Sequence, residues 1–269
     1  MGSIARSSFQ SHPFHLVSPS PWPLNTSMSL LALTSSFVLS VQAFPSAIYF
    51  LYFALISLIS SMSFWWRDVI SEGTYLGNHT MAVQRGLNMG VGLFIVSEAL
   101  FFLGIFWAYF HSSLSPTIEI GAHWPPAGIE SVNALELPFF NTILLLSSGF
   151  TVTYAHHSLI RGIRKETLYG IGFTVILAII FTSAQAIEYK MSSFTLSDGI
   201  YGSCFYFATG FHGFHVIIGT VFIAVSLWRV GAYHLTDNHH LGFEASILYW
   251  HFVDLVWLFL YINVYYWGA

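Results

Sequence analysis

Glu98 is the one carboxylate in a long apolar run, Ala82–His111, and sits near its middle. If that run crosses a bilayer, an unpaired carboxylate there costs on the order of a few kcal/mol on insertion scales. It must therefore be protonated, paired or wet. Desolvation favours the neutral acid, so the expectation is a neutral Glu98 hydrogen-bonded to a neighbour, in a position that usually marks function. Asp254 lies similarly deep in the last apolar run, with His251 one helical turn before it, and His212 and His215 repeat that spacing in the run before. Two such pairs facing each other could bind a metal, as inward pairs do in helical bundles. Imidazoles hydrogen-bonded to Asp254 or to backbone satisfy the same residues without an ion, and the expectation is polar pairing with no metal. His156 with His157, and His239 with His240, are adjacent in sequence. Neighbours on a helix point roughly 100° apart, so neither couple should ligate one ion.

No phosphate-cradling Gly-Lys motif, serine-centred elbow or paired-cysteine cluster occurs in any loop, so no catalytic residue is expected. The lone Cys204 reads as a small core residue.

The elements that must position these groups follow from composition. Of 269 residues, 55% are hydrophobic and only 7% charged, and the charges cluster between apolar stretches, which leaves no surface for a water-soluble fold. The expected fold is an all-α polytopic membrane protein with about seven spans of roughly 20 residues or more. They are placed at Met28–Phe44, Ala47–Trp66, Ala82–His111, Phe139–Ile160, Leu168–Tyr189, Ile200–Val230 and Gly242–Trp267. Pro45 and Ser46 leave only a tight connection between the first two, which read as a hairpin over 28–66. An N-terminal segment over 1–27 precedes them, a loop over 67–81 follows, and 82–269 form a five-helix bundle. The bundle is interrupted by a turn-rich loop over 112–138 that carries Pro116, Pro125, Pro126 and Pro138.

With the N-terminus inside, Arg6, Arg67, Arg85, Arg161, Arg164, Lys165 and Arg229 all fall on the inner side and only Lys190 outside. That asymmetry supports both the orientation and the helix count. Met1–Phe9 have no apolar run or cleavage motif, and Arg6 stands where myristoylation needs Ser or Thr, so no leader or lipid anchor is expected. The sequon Asn78-His79-Thr80 falls inside and should go unused. Trp22, Trp65, Trp66, Trp124, Trp228 and Trp267 lie near span ends as interface anchors, and Gly86, Gly90, Gly104, Gly210, Gly213 and Gly219 should allow close helix packing.

Long stretches resemble subunit III of mitochondrial cytochrome c oxidase, from His12 to Gly268. They are His12–His15 with Ser18–Pro23, Ser97–Pro116 (SEALFFLGIFWAYFHSSLSP), Trp124–Pro126, Tyr154–Leu159 (YAHHSL), Thr209–His215 (TGFHGFH) and Asn238–Tyr261. The resemblance implies a seven-helix subunit of the terminal respiratory oxidase, which reduces O2 to water with proton pumping. It implies that the first two helices splay from the other five around structural phospholipids, cardiolipin among them, with dioxygen approaching through that cleft. Haem and copper are expected in subunits I and II, not in this chain, which stabilises the catalytic core and supports proton uptake. Small accessory subunits and a respiratory supercomplex are the other expected partners, with no nucleic acid. The place is the mitochondrial inner membrane, N-terminus to the matrix and C-terminus to the intermembrane space. By position, Glu98 is the family's intramembrane carboxyl, and Trp66, Glu72, His79, Arg229 and Trp250 are its lipid-headgroup and cleft positions. Mammalian members carry an arginine where Ser71 stands here.

Inner-face histidines titrate near neutral pH and could relay protons toward the uptake path: His79, His234, His239 and His240, with His12 and His15 nearby. Two other classes of protein would use the same residues differently. A solute transporter would use Glu98 and Asp254, but neither broken helices nor an inverted repeat is evident. A redox subunit would use the histidine pairs as ligands.

Overall fold

The computed structural model describes residues 12–268. The readings made on Met1–Phe9, Arg6 among them, lie outside those residues. Seven helices are long and apolar enough to cross a membrane, and no strand occurs among the described residues. They are α1 (Trp22–Val41), α2 (Ala47–Thr74), α3 (Met81–Leu114), α4 (Leu137–Ile160), α5 (Arg164–Met191), α6 (Gly199–Gly231) and α7 (Leu241–Leu260), with α7 continuing into a π-helical turn over Tyr261–Tyr266. The chain forms two compact units divided between Leu87 and Asn88, inside α3, whereas the sequence reading divided it before Ala82.

In the first unit, α1 starts six residues before the expected Met28. Pro21 and Pro23 are favourable at a helix start, where the missing N–H has no partner to lose. The polar Ser27 does not end the span because its hydroxyl bonds back to the Leu24 carbonyl at 2.8 Å. α2 in turn runs eight residues past Trp66, so the expected 67–81 loop contracts to residues 75–80. Arg67 and Asp68 are tolerated on the helix because they pair at 2.9 Å, and Asp68 also accepts the Trp22 indole N–H. The hairpin packs through small residues at heptad spacing, Ser29 and Ser36 on α1 against Ala47, Ala54 and Ser61 on α2, and Ser29 meets Ser57 at 2.8 Å. Ala43 and Ser46 take left-handed backbone in the turn around Pro45.

In the second unit α7 is the core helix: 61% of its most apolar window is buried. Trp250 and Trp257, two turns apart, share one face and donate their indole N–H groups to Ser148 and Thr142 of α4, at 2.9 and 3.0 Å. An indole buried in this setting needs such an acceptor. α4 and α5 meet across Thr151 and Thr174, whose hydroxyls are 2.7 Å apart, and at Gly170. α3 contributes aromatic side chains along one stripe, with Phe94 stacked on Tyr249 and Phe101 edge-on to Phe211, while Tyr109 donates to the Asn263 carbonyl at 2.9 Å. The α3–α4 connection holds one 3-10 turn, Ile118–Ile120, and left-handed Gly121 and Gly128. Trp124 within it packs between Tyr109 and Tyr201 and is not an exposed anchor.

The glycines that bring elements close differ from those expected. Gly219 lies under Trp250, but Gly86, Gly90, Gly104 and Gly213 have nothing within 4 Å of an added Cβ among the described residues. The tight positions include Gly149 and Gly170. A Cβ at Gly170 would stand 2.8 Å from Ala155 Cβ and 2.9 Å from the Thr151 carbonyl oxygen, which is backbone and cannot swing away. Gly170→Ala should therefore destabilise the α4–α5 pair by about 1–3 kcal/mol. Gly172→Ala, with open space around it, should be neutral. Retention of this subunit in detergent after stepwise heating separates the two variants.

Candidate functional site

Glu98 lies on the α3 stripe that faces α6 and α7. Phe94, Glu98, Phe101 and Phe102 recur at helical spacing, and Phe102 packs edge-on against the His215 ring at 5.0 Å. Glu98 Oε2 is 2.8 Å from His215 Nε2, and Tyr249 stacks on the same ring. The His215 side chain is 8% exposed and that of Glu98 25%.

Proton positions follow from the partners. His215 Nδ1 is 2.7 Å from the Phe211 carbonyl oxygen, which can only accept, so Nδ1 carries a hydrogen. The 2.8 Å contact at Nε2 then also requires a proton, because a bare ring nitrogen facing a carboxylate would set two lone pairs against each other. That proton resides either on Glu98, facing a neutral imidazole, or on His215, facing a carboxylate. Both forms leave the pair without net charge. Low-dielectric surroundings favour such a pair over an isolated ionised Glu98.

The second histidine of the α6 pair does something else. His212 is 1% exposed, donates Nε2–H to the Val253 carbonyl at 3.2 Å and packs on Trp257 and Phe181. His251 reaches Thr153 at 3.3 Å and stands 3.9 Å from Asp254, beyond a hydrogen bond. Asp254 is 8% exposed and packs over Gly149, where a Cβ would approach its Oδ2 to 2.8 Å. The α6 and α7 pairs thus do not converge: one histidine faces α3, one the α7 backbone and one α4. Among the described residues they form no cluster of metal ligands.

The residues expected to meet lipid fall in both units. In the first, Trp66 is 59% exposed, and Glu72 and His79 are half-buried with ligand atoms within 4.8 Å of each other and of His15. The His79 ring lies across Gly73, whose added Cβ would meet Nδ1 at 2.7 Å. In the second, the Arg229 guanidinium lies against Gly242 at the start of α7. Trp250, expected among the lipid positions, has no exposed surface and bonds its indole to Ser148, so it packs as a core residue of the bundle.

His234, His239 and His240 share the α6–α7 loop. His234 packs edge-on to Trp228, and partial burial, helped by the Arg229 charge, holds its pKa below the usual histidine value. His240 is buried, and its Nδ1 donates to the Thr236 carbonyl at 2.9 Å.

Sequence reasoning missed Glu188. Two residues before Lys190 at a span end, it reads as a solvated charge. It is in fact 3% exposed, and its Oε1 accepts from Tyr265 at 2.7 Å and Gln185 at 3.0 Å, while Gln185 Oε1 accepts from Asn141 at 3.3 Å. This network joins α4, α5 and the π turn. The available signal was Gln185 and Glu188 at helical spacing, on one face.

A polytopic bundle that pairs Glu98 with His215 and the Trp250 and Trp257 indoles with hydroxyls of α4 is a membrane subunit whose polar interior joins helices. The family model described as "Cytochrome c oxidase subunit III" matches residues 12–269. The chain is 68% identical over 269 residues to cytochrome c oxidase subunit 3 of Podospora anserina and 67% to that of Neurospora crassa, covering all of both chains. It is 55% identical over 261 residues to that of Yarrowia lipolytica, covering 97% of each. The chain belongs to the cytochrome c oxidase subunit III family. It is a subunit of cytochrome c oxidase, an oxidoreductase complex with other subunits, and the transporter reading finds no support.

Two outcomes follow from the site. Glu98→Gln should keep the subunit in the complex, because a Gln amide donates to the bare His215 Nε2. Glu98→Leu leaves that buried nitrogen without a donor and should cost about 1–3 kcal/mol. Subunit retention on heating reads the difference, and a protonated-carboxyl infrared band present in the parent and missing in both variants would place the shared proton on Glu98. For His234, the folded pKa lies below the unfolded value of about 6.5, so the unfolded chain binds the proton first. Its contribution is full above that pH and fades as pH falls through the folded pKa. His234→Gln should flatten the loss of stability between pH 7.5 and lower pH, measured by melting across a pH series.

Proposed function

We propose that this chain is the non-redox core subunit of cytochrome c oxidase, the oxidase that reduces O2 to water with proton pumping. It has no catalytic centre of its own; it stabilises the haem- and copper-bearing core, supports proton uptake and holds structural phospholipids, cardiolipin among them. The observation that carries this reading is the Glu98–His215 pair. Its two groups satisfy each other with one shared proton and a carbonyl, and His212 is likewise committed to the Val253 carbonyl. With both His215 nitrogens engaged, the pair serves helix packing and proton placement better than ligation of a redox centre.

Lipid binding is supported by the chemistry of His79 and Arg229 and by the exposed ring of Trp66, since guanidinium and imidazole donors suit an anionic headgroup, while Glu72 joins them by the resemblance alone. The lysine and arginine asymmetry supports the mitochondrial inner membrane orientation with the N-terminus in the matrix and the C-terminus in the intermembrane space. Subunits I and II, small accessory subunits and a respiratory supercomplex are the partners of this reading.

A tag on this subunit should co-purify the haem-bearing subunits in mild detergent; a chain that runs alone would overturn the assignment. In that complex, replacing His79, His234, His239 and His240 together with Gln should slow proton uptake at pH 8 while haem content stays unchanged. Unchanged uptake would remove the proton-relay role of the inner-face histidines.

A further inference from the structure

The fold joins one member of each adjacent histidine couple, although neither couple can ligate an ion by itself. His156 near the end of α4 meets His240 just before α7, with Glu244 one turn into α7. One ligand atom from each lies within 4.8 Å of the other two. We propose that His156, His240 and Glu244 form a divalent-metal site, matched to Zn2+, that ties the end of α4 to the start of α7.

Three observations carry it. His240 Nε2 and Glu244 Oε1 are 3.3 Å apart. Zinc bonds of about 2.0–2.1 Å in a tetrahedron put neighbouring ligand atoms about 3.3–3.4 Å apart, so one edge already has its final length. Glu244 is 45% exposed on its side chain and free to rotate toward the other edges. Second, the His240 Nδ1–H donates to the Thr236 carbonyl at 2.9 Å. A backbone acceptor on the far nitrogen is what orients a ligating imidazole, and the proton between Nε2 and Glu244 is the one a metal ion would displace. Third, His156 Nε2 is buried and has no hydrogen-bond partner. The His156 and His240 rings meet edge to face at 5.5 Å, and Phe243 closes the other side of His156 edge-on.

Two imidazoles and one carboxylate form a zinc ligand set with its fourth position left to water, reached along the exposed side of Glu244. No reaction is assigned to that water. The consequence is mechanical and competitive. The ion would brace the loop that holds His234 and His239 against α4, and a metal-bound Nε2 would withdraw His240 from any proton relay.

The test uses the intact complex, stripped with a chelator, dialysed and reloaded with Zn2+ alone. Zinc per subunit is counted by mass spectrometry, and the ligands are read by X-ray absorption. The parent should hold one equivalent more than Glu244→Gln and His240→Gln, with an absorption edge that shows two imidazoles. His157→Gln, whose ring points elsewhere, should match the parent. Glu244→Gln changes a half-exposed side chain, so its loss of zinc is not a folding artefact, and unchanged melting of that variant without metal verifies this. Equal zinc in all four proteins, or equal loss in His157→Gln, would overturn the site.

Discussion

A polar atom in hydrocarbon has no water to fall back on, so each must find its partner inside the protein. The second unit is organised by that constraint. Trp250 and Trp257 turn α7 toward α4 because only there do their N–H groups meet Ser148 and Thr142. Glu188, Gln185, Asn141 and Tyr265 answer one another across α4, α5 and the π turn, and Thr151 answers Thr174. Apolar burial distinguishes these helices from lipid only weakly, so the hydrogen bonds decide which faces meet. Small residues set how closely they do so, as at Gly170 against Thr151 and Ala155.

The same constraint produces the Glu98–His215 pair. Set 2.8 Å apart, with the far nitrogen of the ring held by Phe211, they share one proton that can change owner without changing the charge of the bundle. For a subunit of a proton-pumping oxidase, such a pair offers a polar junction between α3 and α6 that costs little to keep in the membrane. It also explains how Glu98 can lie a quarter exposed among aromatic rings.

At the other end of the bundle the loop between α6 and α7 gathers chemistry that the chain keeps apart. Arg229, His234, His239 and His240 lie within a dozen residues, and His156 arrives from α4. Their environments differ. Partial burial and a nearby guanidinium lower the His234 pKa, while His240 bonds the Thr236 carbonyl and faces Glu244. Histidines that look alike in sequence therefore sit in different surroundings, one beside a guanidinium and an indole and the other bonded to a backbone carbonyl.

Much of the architecture was legible without coordinates, because crossing a bilayer imposes length, apolarity and charge asymmetry on local sequence. The seven spans, the turn at Pro45 and the depth of Glu98 are properties of contiguous residues. Span ends were less so: α1 begins at Trp22 and α2 continues to Thr74 because hydroxyl back-bonding and the Trp22–Asp68 contact make polar residues acceptable inside helices. Partnership was not legible at all. That Glu98 meets His215 and not Asp254, that Trp250 is core, that Glu188 is buried and that His156 meets His240 each depend on how helices distant in sequence rotate against one another. Periodicity tells which residues share a face, but the partner of that face is chosen by hydrogen bonds and close packing between helices, which exist only once the bundle has formed.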